Sequence, residues 1–513
     1  MIHGEPAMMG FQSDQQPKLF YPSINLEQRI PDQHVLRRIR SQVDFDFIYD
    51  EVRDRYGIKG NVSVPPPAIL KMMLLLVLYN VRSERELMNT IPLRLDWLWF
   101  LGYDLDSEIP NHSVLSKART RWGVEAFRCF FERIVWQCVQ AGLVDGTKLF
   151  MDSSLIEADA SNNSVFSRPA FEPYLVKGCR ELEARLEEPQ EASRDEEPPE
   201  TPKSGVANKR HVSTTDPDAS VVRQGKGGAS LKYKIHRAVD VGYEVITATE
   251  VTTGETNEAH RLLPLAEQHG RNTERAAEIV VADTKYGTVD NYLACHDRGL
   301  RAHIPDIKRS QDNTGRREGI FPTEAFRYDP QADSYRCPAG QELKARRHHV
   351  KQQAVDYLCA RGICDACELR SQCTTAKIGR SLKRHLRQNE LDRMRDRARS
   401  APSRQDIRTR QHLMERSFAR ATRYGFKRAR WRRLWRVQIQ EYLTAAVQNM
   451  MTLLRHVKER GTVCGMWLPA AAPGATFGSP NRIFCGIASC ASRLRLFFSI
   501  QVCEFELHHC LAY

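Results

Sequence analysis

The sequence predicts an α/β protein in which a mixed sheet follows an all-helical N-terminal region and is interrupted by a small cysteine-rich insertion. Three observations carry this. Residues 1–145 show helical apolar spacing and include the unbroken apolar stretch Met72–Tyr79. Residues 146–304 alternate strand-like apolar runs with helical ones, the pattern of an α/β layer. Residues 305–405 break that pattern with polar, Cys-bearing sequence, and helical spacing returns over 406–458.

In chain order, LEQRIPDQHVLRRIRSQV and DFIYDEVRDRYG have helical apolar spacing, and Pro65–Pro67 open the helix PAILKMMLLLVLYN. ERELMNTIPLRLDWLWFLGYDL follows. In SEIPNHSVLSKARTRWG, Asn111 or Ser113 caps a helix whose surface carries Lys117, Arg119 and Arg121. A helix, turn and basic helix can lay one helix against DNA, although plain helix packing explains any single one of them. Lys148–Ser153 reads as the first strand. An interruption follows, expected to be flexible over about 180–228 and including the acidic, Pro-rich 182–205. Strands return at 230–240 and 244–253, joined by a hairpin with Gly242 in its turn. Helix 258–269, strand 278–282, helix 289–298 and strand 301–304 complete the layer. Arg408–Val457 reads as helix broken near Tyr424-Gly425, its last part bearing the stripe Leu434, Val437, Ile439, Leu443, Val447, Met450 and Leu454.

At 513 residues the chain holds two or more domains. Its 41% hydrophobic and 27% charged residues are ordinary for a soluble globular protein. The net charge of +13 is concentrated: Ala376–Arg436 carries 21 Lys and Arg against 5 Asp and Glu. Such a stretch is the footprint of a polyanion partner, or else a solvated helical face. The first thirty residues are polar and Pro-punctuated, unlike a secretory signal. Met72–Tyr79 falls far short of the roughly 20 apolar residues a bilayer requires, which makes it a buried helix and excludes a membrane partner. The 14 cysteines therefore read as reduced thiols or metal ligands, not a disulfide scaffold.

Three acids suggest chemistry. Asp152 and Asp283 close strand-like runs, Leu149–Met151 and Ile279–Ala282, and Glu415 lies in a helical segment. Ligands of open α/β sheets bind at the carboxyl ends of strands. Two carboxylates there and a third from a helix can hold divalent metals that clamp the attacking and leaving oxygens of a phosphoryl transfer. Mg²⁺, a hard ion, suits such oxygens. Any one of these acids alone reads equally as a surface residue. Asp240 lies one strand across from Asp152 in this topology and reads as a strand-terminal surface acid, the alternative being a residue that tunes the metal site. Among the cysteines, Cys364-x-x-Cys367 has the spacing of a metal knuckle, and Cys337 with Cys373 completes a tetrahedral set for structural Zn²⁺. Cys359 is then spare or replaces Cys337. Free thiols or an iron–sulfur cluster are the alternatives.

Taken together, PSINLEQRIPDQHVLRRI, PNHSVLSKARTRW, FMDSSLIEADAS, TDPDA (215–219), YKIHRAVD, VVADTKYG and MERSFARA…RARWRRLWRVQIQ…AAVQNM resemble bacterial insertion-sequence transposases of the DDE class. The resemblance runs from about Phe11 to Lys458. It implies a ribonuclease H-like catalytic core, with Asp152, Asp283 and Glu415 as its catalytic, metal-binding acids. It also implies Mg²⁺ (or Mn²⁺)-dependent cleavage of double-stranded DNA at the element's ends, and attack of the freed 3′-hydroxyl on target DNA. Synapsis of two ends implies a homo-oligomer, at least a dimer, acting at the bacterial nucleoid in the cytoplasm. The helical N-terminal domain is expected to bind the element ends. The expected DNA contacts are Lys117, Arg119 and Arg121 there, and Arg423, Lys427, Arg428, Arg430, Arg432 and Arg433 in the second basic region. Trp431 and Trp435 either stack on an unpaired base or belong to the core.

Two departures bear on activity. Relatives carry a Lys about two turns after the glutamate, where this chain has Thr422-Arg423, and an aromatic Tyr about two turns before it, where Ile407 or Arg408 stands. The tail 459–513 holds 5 of the 14 cysteines with little periodicity, as a translated extension past a disrupted stop would. A catalytically impaired copy that only binds DNA, and a nuclease without strand transfer, are accordingly the alternative readings.

Overall fold

The computed structural model describes residues 9–10, 20–21, 24–57, 61–167, 206–225, 227–306 and 319–456. The acidic segment 182–205 and the tail 459–513 lie outside them.

The N-terminal region is helical, as its spacing predicts: α1 (Leu26–Arg29), α2 (Val35–Gln42), α3 (Phe47–Val52), α4 (Pro66–Leu78), α5 (Glu84–Thr90), α6 (Leu95–Leu101) and α7 (Ser113–Gln140). The first stretch splits because Ile30, preceding Pro31, is forced into an extended conformation. Helix α4 starts on prolines, which lose nothing where the amides are unpaired anyway, and is buried on all sides. Helix α7 bends at Gly123, whose φ of +70° interrupts it. Its second half buries Phe127, Phe130, Phe131 and Ile134.

The central sheet contains β1 (Lys148–Glu157), β2 (Ser220–Arg223), β3 (Ala229–Asp240), β4 (Ile246–Thr253), β5 (Ile279–Val281) and β6 (Arg301–His303). Its order is β6-β5-β1-β3, with β4 and β2 sharing the far edge of β3. β5 and β6 run parallel to β1, whereas β3 is antiparallel to β1, β2 and β4. The mixed sheet and flanking helices bear out the α/β class. Alternation of side chains divides the core. Phe150, Val239, Ile246 and Val281 face α7, α11 (Ala401–Thr422) and α12 (Leu434–His456). Leu149, Met151, Ala238, Val280 and Ala282 face α8 (Leu262–Thr273), α9 (Val289–Asp297) and α10 (Gln388–Ala398).

Several expectations change. β1 continues to Glu157, because β3 pairs with it as far as Lys232. Asp152 is therefore mid-strand and not at the strand's end. Residues 206–223, expected to be flexible, form a short helix, a strand at His211–Ser213 and β2, anchored by buried Val212 and Ala219. The Cys-bearing insertion is itself a sheet: β7 (Arg327–Asp329), β8 (Ser334–Arg336), β9 (Glu342–His349), β10 (Ala354–Leu358) and β11 (Ser381–His385), antiparallel in sequential order around Phe326, Tyr335, Leu343, Val355, Tyr357 and Leu382. The break before α12 spans 423–433, and the whole predicted stripe of α12 except its first residue, Leu434, is buried. In the β3–β4 turn the left-handed residue is Glu244, at φ +60°. Asp240 is fully buried, accepting the amides of Asp145, Gly146 and Gly242 at 2.8–3.0 Å, so it is a turn anchor and not a surface acid.

Helix α11 is fastened across the sheet. Asp406 takes Lys148 Nζ at 2.8 Å and His303 Nδ1 at 2.7 Å. Further along, Arg237 of β3 holds Glu441 of α12 through Nε (2.7 Å) and Nη2 (3.0 Å) and donates to the Ser417 carbonyl of α11 at 3.3 Å. Its guanidinium lies 5.1 and 4.9 Å from the rings of Phe418 and Phe426. This pair is completely buried, an arrangement tolerable only because the charges meet in two parallel bonds.

Candidate metal centre and nucleic-acid interface

The parallel pairing of β1 with β5 ends at Phe150 opposite Val281. Two residues further along each chain come Asp152 and Asp283. Both share the face of Phe150 and Val281, the face that α11 covers. One Asp152 oxygen accepts the Ser153 amide (2.8 Å) and the other Arg410 Nη1 (2.6 Å). Asp283 caps the turn Thr284–Tyr286, accepting the Lys285 amide at 3.0 Å.

Burial holds both carboxyls above the usual carboxylate range. Arg410 opposes the shift at Asp152, while Asp283 reinforces it. At Asp283, Glu258 adds to the effect of burial, and Arg410 and Lys285 oppose it. Two partly desolvated carboxylates, the proton affinity of each raised by a neighbouring acid, are suited to a divalent cation, whose charge inverts that balance.

Glu415 is exposed on α11, where Gln411 Nε2 donates to it at 3.4 Å. It is not among the groups that shift Asp152 or Asp283. Among the described residues, the only three His, Cys, Asp or Glu ligand atoms within 4.8 Å of one another belong to His296, Asp297 and Glu390. Arg387 clasps both acids of that trio, which is an ion-pair knot. The structure thus brings Asp152 and Asp283 together and leaves Glu415 apart. Around the two aspartates it adds Arg410, Glu258, Lys285 and Tyr286. Lys285 and Tyr286 were legible inside VVADTKYG, but Arg410 and Glu258 had no motif to mark them.

The four expected zinc ligands Cys337, Cys364, Cys367 and Cys373 converge with Cys359 on one apolar pocket beneath the second sheet. All are free thiols. Burial, then Cys364, Cys337 and Cys373, push the Cys359 thiol up to about 12. The Gln341 amide donates to Cys337 Sγ at 3.3 Å, and a Cβ on Gly379 would stand 2.7 Å from Cys364 Sγ. Thiols gathered beside a backbone amide fit a thiolate metal site.

The basic candidates divide. Lys117, Arg423 and Lys427 are exposed, and Arg121 lies 4.7 Å over the Tyr56 ring. Arg428 and Arg432 are exposed but paired with Asp159. Arg433 is half-buried at the start of α12 with φ +78°. Two expectations of a DNA-facing side chain are corrected. Arg119 is 3% exposed, bound to Glu84 and stacked 4.0 Å from Trp431. Arg430 caps the Val81 carbonyl and Asn80. Long guanidinium stems can be buried when a carboxylate or carbonyl lies at their tip. Trp431, donating to Glu84 at 3.1 Å, packs between domains of helix and is not presented to a base.

No helix among the described residues is long and apolar enough to cross a membrane. Two family models match the chain: a transposase domain (DUF772) over residues 24–121, and a transposase DDE domain over residues 336–454. The first covers the N-terminal helices as far as α7. The second takes in the cysteines, Glu415 and most of α12, while Asp152 and Asp283 fall between the two. No curated protein matches the chain. Both matches are transposase domains, and their order around an α/β sheet supports an insertion-sequence transposase of the DDE class.

Proposed function

We propose that this DNA transposase cleaves the ends of its insertion sequence and joins the freed 3′-hydroxyls to target DNA, with Asp152, Asp283 and Glu415 binding the divalent metal. The observation carrying this reading is the pair Asp152–Asp283, level with one another where the parallel ladder ends and beside Arg410 and Lys285. A divalent ion bound there would activate the attacking oxygen and stabilise the leaving one. The chain's own residues supply the rest. Arg410 and Lys285 neutralise the carboxylates before DNA arrives and are placed to meet a phosphate afterwards. Glu415, carried on the helix that presents Arg410, is the third acid. Lys117, Arg423, Lys427, Arg428 and Arg432 are the proposed phosphate contacts, Arg423 standing where relatives have Lys. The protein acts as a dimer when two ends are synapsed.

Labelled element ends incubated with Mg²⁺ test the reading. Wild type should cut and Asp152→Ala should lose at least about a thousandfold in rate, roughly 4 kcal/mol of transition-state stabilisation. Equal rates in the two proteins overturn it. Products joined to target DNA exclude a nuclease without strand transfer. The departures at Ile407–Arg408 and Thr422–Arg423 favour the second reading, an impaired copy that binds DNA without cutting it.

The cysteine pocket is proposed to hold one structural Zn²⁺. Metal analysis of the purified protein should return about one zinc per chain, lost in Cys364→Ser/Cys367→Ser. Zinc content unchanged by that double substitution excludes these ligands.

A further inference from the structure

We propose that Glu258 is a further carboxylate of the metal centre, sharing a divalent cation with Asp152 and Asp283, and that the Tyr286 hydroxyl is the buried donor that positions the set. The inference rests on the metal-centre reading of the two aspartates.

Glu258 opens the turn Glu258–Arg261, held by Asn257, whose side chain accepts the Ala259 amide at 3.1 Å. It is only 5% exposed. A buried carboxylate is costly unless it is paired, and this one is paired in an uneven way. Lys285 Nζ at 2.9 Å and Lys234 Nζ at 3.3 Å both approach Oε1. Lys285 in turn ties Glu258 to the first aspartate's partner, because the Lys285 amide is the group that Asp283 caps.

Tyr286 supplies the independent observation. Its side chain is fully buried, yet its hydroxyl has no hydrogen-bond partner among the described residues. Burial pushes this hydroxyl far up in pKa, the Glu258, Asp152 and Asp283 carboxylates push it further, and Arg410 opposes them. Buried hydroxyls rarely go unpaired, and one left open amid three carboxylates is a donor whose acceptor is fixed only when the centre is occupied.

Charge balance describes the exchange. Without metal, Asp152, Asp283 and Glu258 stand against Arg410, Lys285 and Lys234, three against three. A divalent cation among the carboxylates makes the cations surplus. The Lys285 side chain, 66% exposed, can leave without breaking the core. Glu258 then offers both oxygens to the ion, and Arg410 and Lys285 are released toward phosphate.

Mn²⁺ binding to the full chain without DNA, followed by electron paramagnetic resonance, tests this. Asp152→Asn, Glu258→Gln and Tyr286→Phe should each weaken Mn²⁺ about tenfold or more, as loss of ligands and of the groups supporting them does. Glu258→Gln binding Mn²⁺ like wild type while Asp152→Asn does not would overturn the role of Glu258 alone. Wild-type affinity in both would overturn the metal-centre reading itself. Should Glu258→Gln fail to fold, Fe²⁺-directed backbone cleavage of the wild type decides: cuts near 152, 258 and 283 support the proposal, and cuts near 152 and 283 only refute it.

Discussion

Two pairs of aspartates in this protein share burial and differ in everything else. Asp216 and Asp218 sit where α12 begins. Asp216 takes the Tyr233 hydroxyl at 2.7 Å and the Arg433 amide at 3.0 Å, and Asp218 the Leu434 amide at 2.9 Å. Asp152 is met by the Arg410 guanidinium as well as the Ser153 amide, and Asp283, which accepts the Lys285 amide, lies within reach of the Arg410 and Lys285 charges. Burial pushes the carboxyl of Asp216 up just as it does those of Asp152 and Asp283. Perturbed acidity therefore does not distinguish the pairs. The partners do. Amides at a helix start are fixed and make a carboxylate a structural cap, whereas a mobile lysine or arginine can be exchanged for a metal or a phosphate.

The comparison can be broken most easily at the capping pair. Asp216→Ala strands the Tyr233 hydroxyl and an amide of α12 together, and should cost about 2–4 kcal/mol of stability. Urea unfolding that shifts by less than about 1 kcal/mol would mean that the cap is ornamental. Mg²⁺ should not restore the loss.

A smaller effect sharpens the other side. Mg²⁺ at about ten times its dissociation constant should stabilise the wild type by about 1.4 kcal/mol. The folded-state carboxyls of Asp152 and Asp283 lie above their unfolded values. Their ionised forms therefore weaken the metal-free fold at neutral pH, and that penalty is relieved as pH falls through the raised values. Metal needs the ionised forms, so the Mg²⁺ stabilisation should shrink over the same window, above the ordinary aspartate value of about 4. Melting curves at pH 7.5 and 5.5, with Mg²⁺ and with chelator, measure both signs. An identical Mg²⁺ increment at the two pH values would contradict the assignment.

How much was legible follows from the range of each signal. The strands around Leu149, Ile235 and Val280 and the stripe of α12 announce themselves by local periodicity. Asp152 and Asp283 were found because each ends an apolar run. The extent of β1 past Asp152 was not, since it depends on β3 pairing with Ser153–Glu157, whose own sequence is half polar. Arg410 reaches Asp152 across 258 residues, a contact set by how α11 crosses the sheet and by nothing local. The second sheet was hidden because its strands, ELKARRHH and SLKRH, display cations on one face and contribute only Leu343, Ala345 and Leu382 to its small core. Arg119 and Arg430 misled for a related reason: charge in a sequence does not say whether its partner is a phosphate or a carboxylate already inside the protein.

The position of α12 in the chain has a consequence for synthesis. The last strand of the central sheet leaves the ribosome at His303, but the helix that covers Val239 and Ile246 is complete only at His456. At translation rates of about 5–20 residues per second, that apolar face has α7 but lacks α12 for roughly 8–30 s. During this time the five-stranded Cys-bearing sheet is made and can fold on its own contacts. Whatever shelters the open face in that interval sets how much of each newly made chain escapes aggregation.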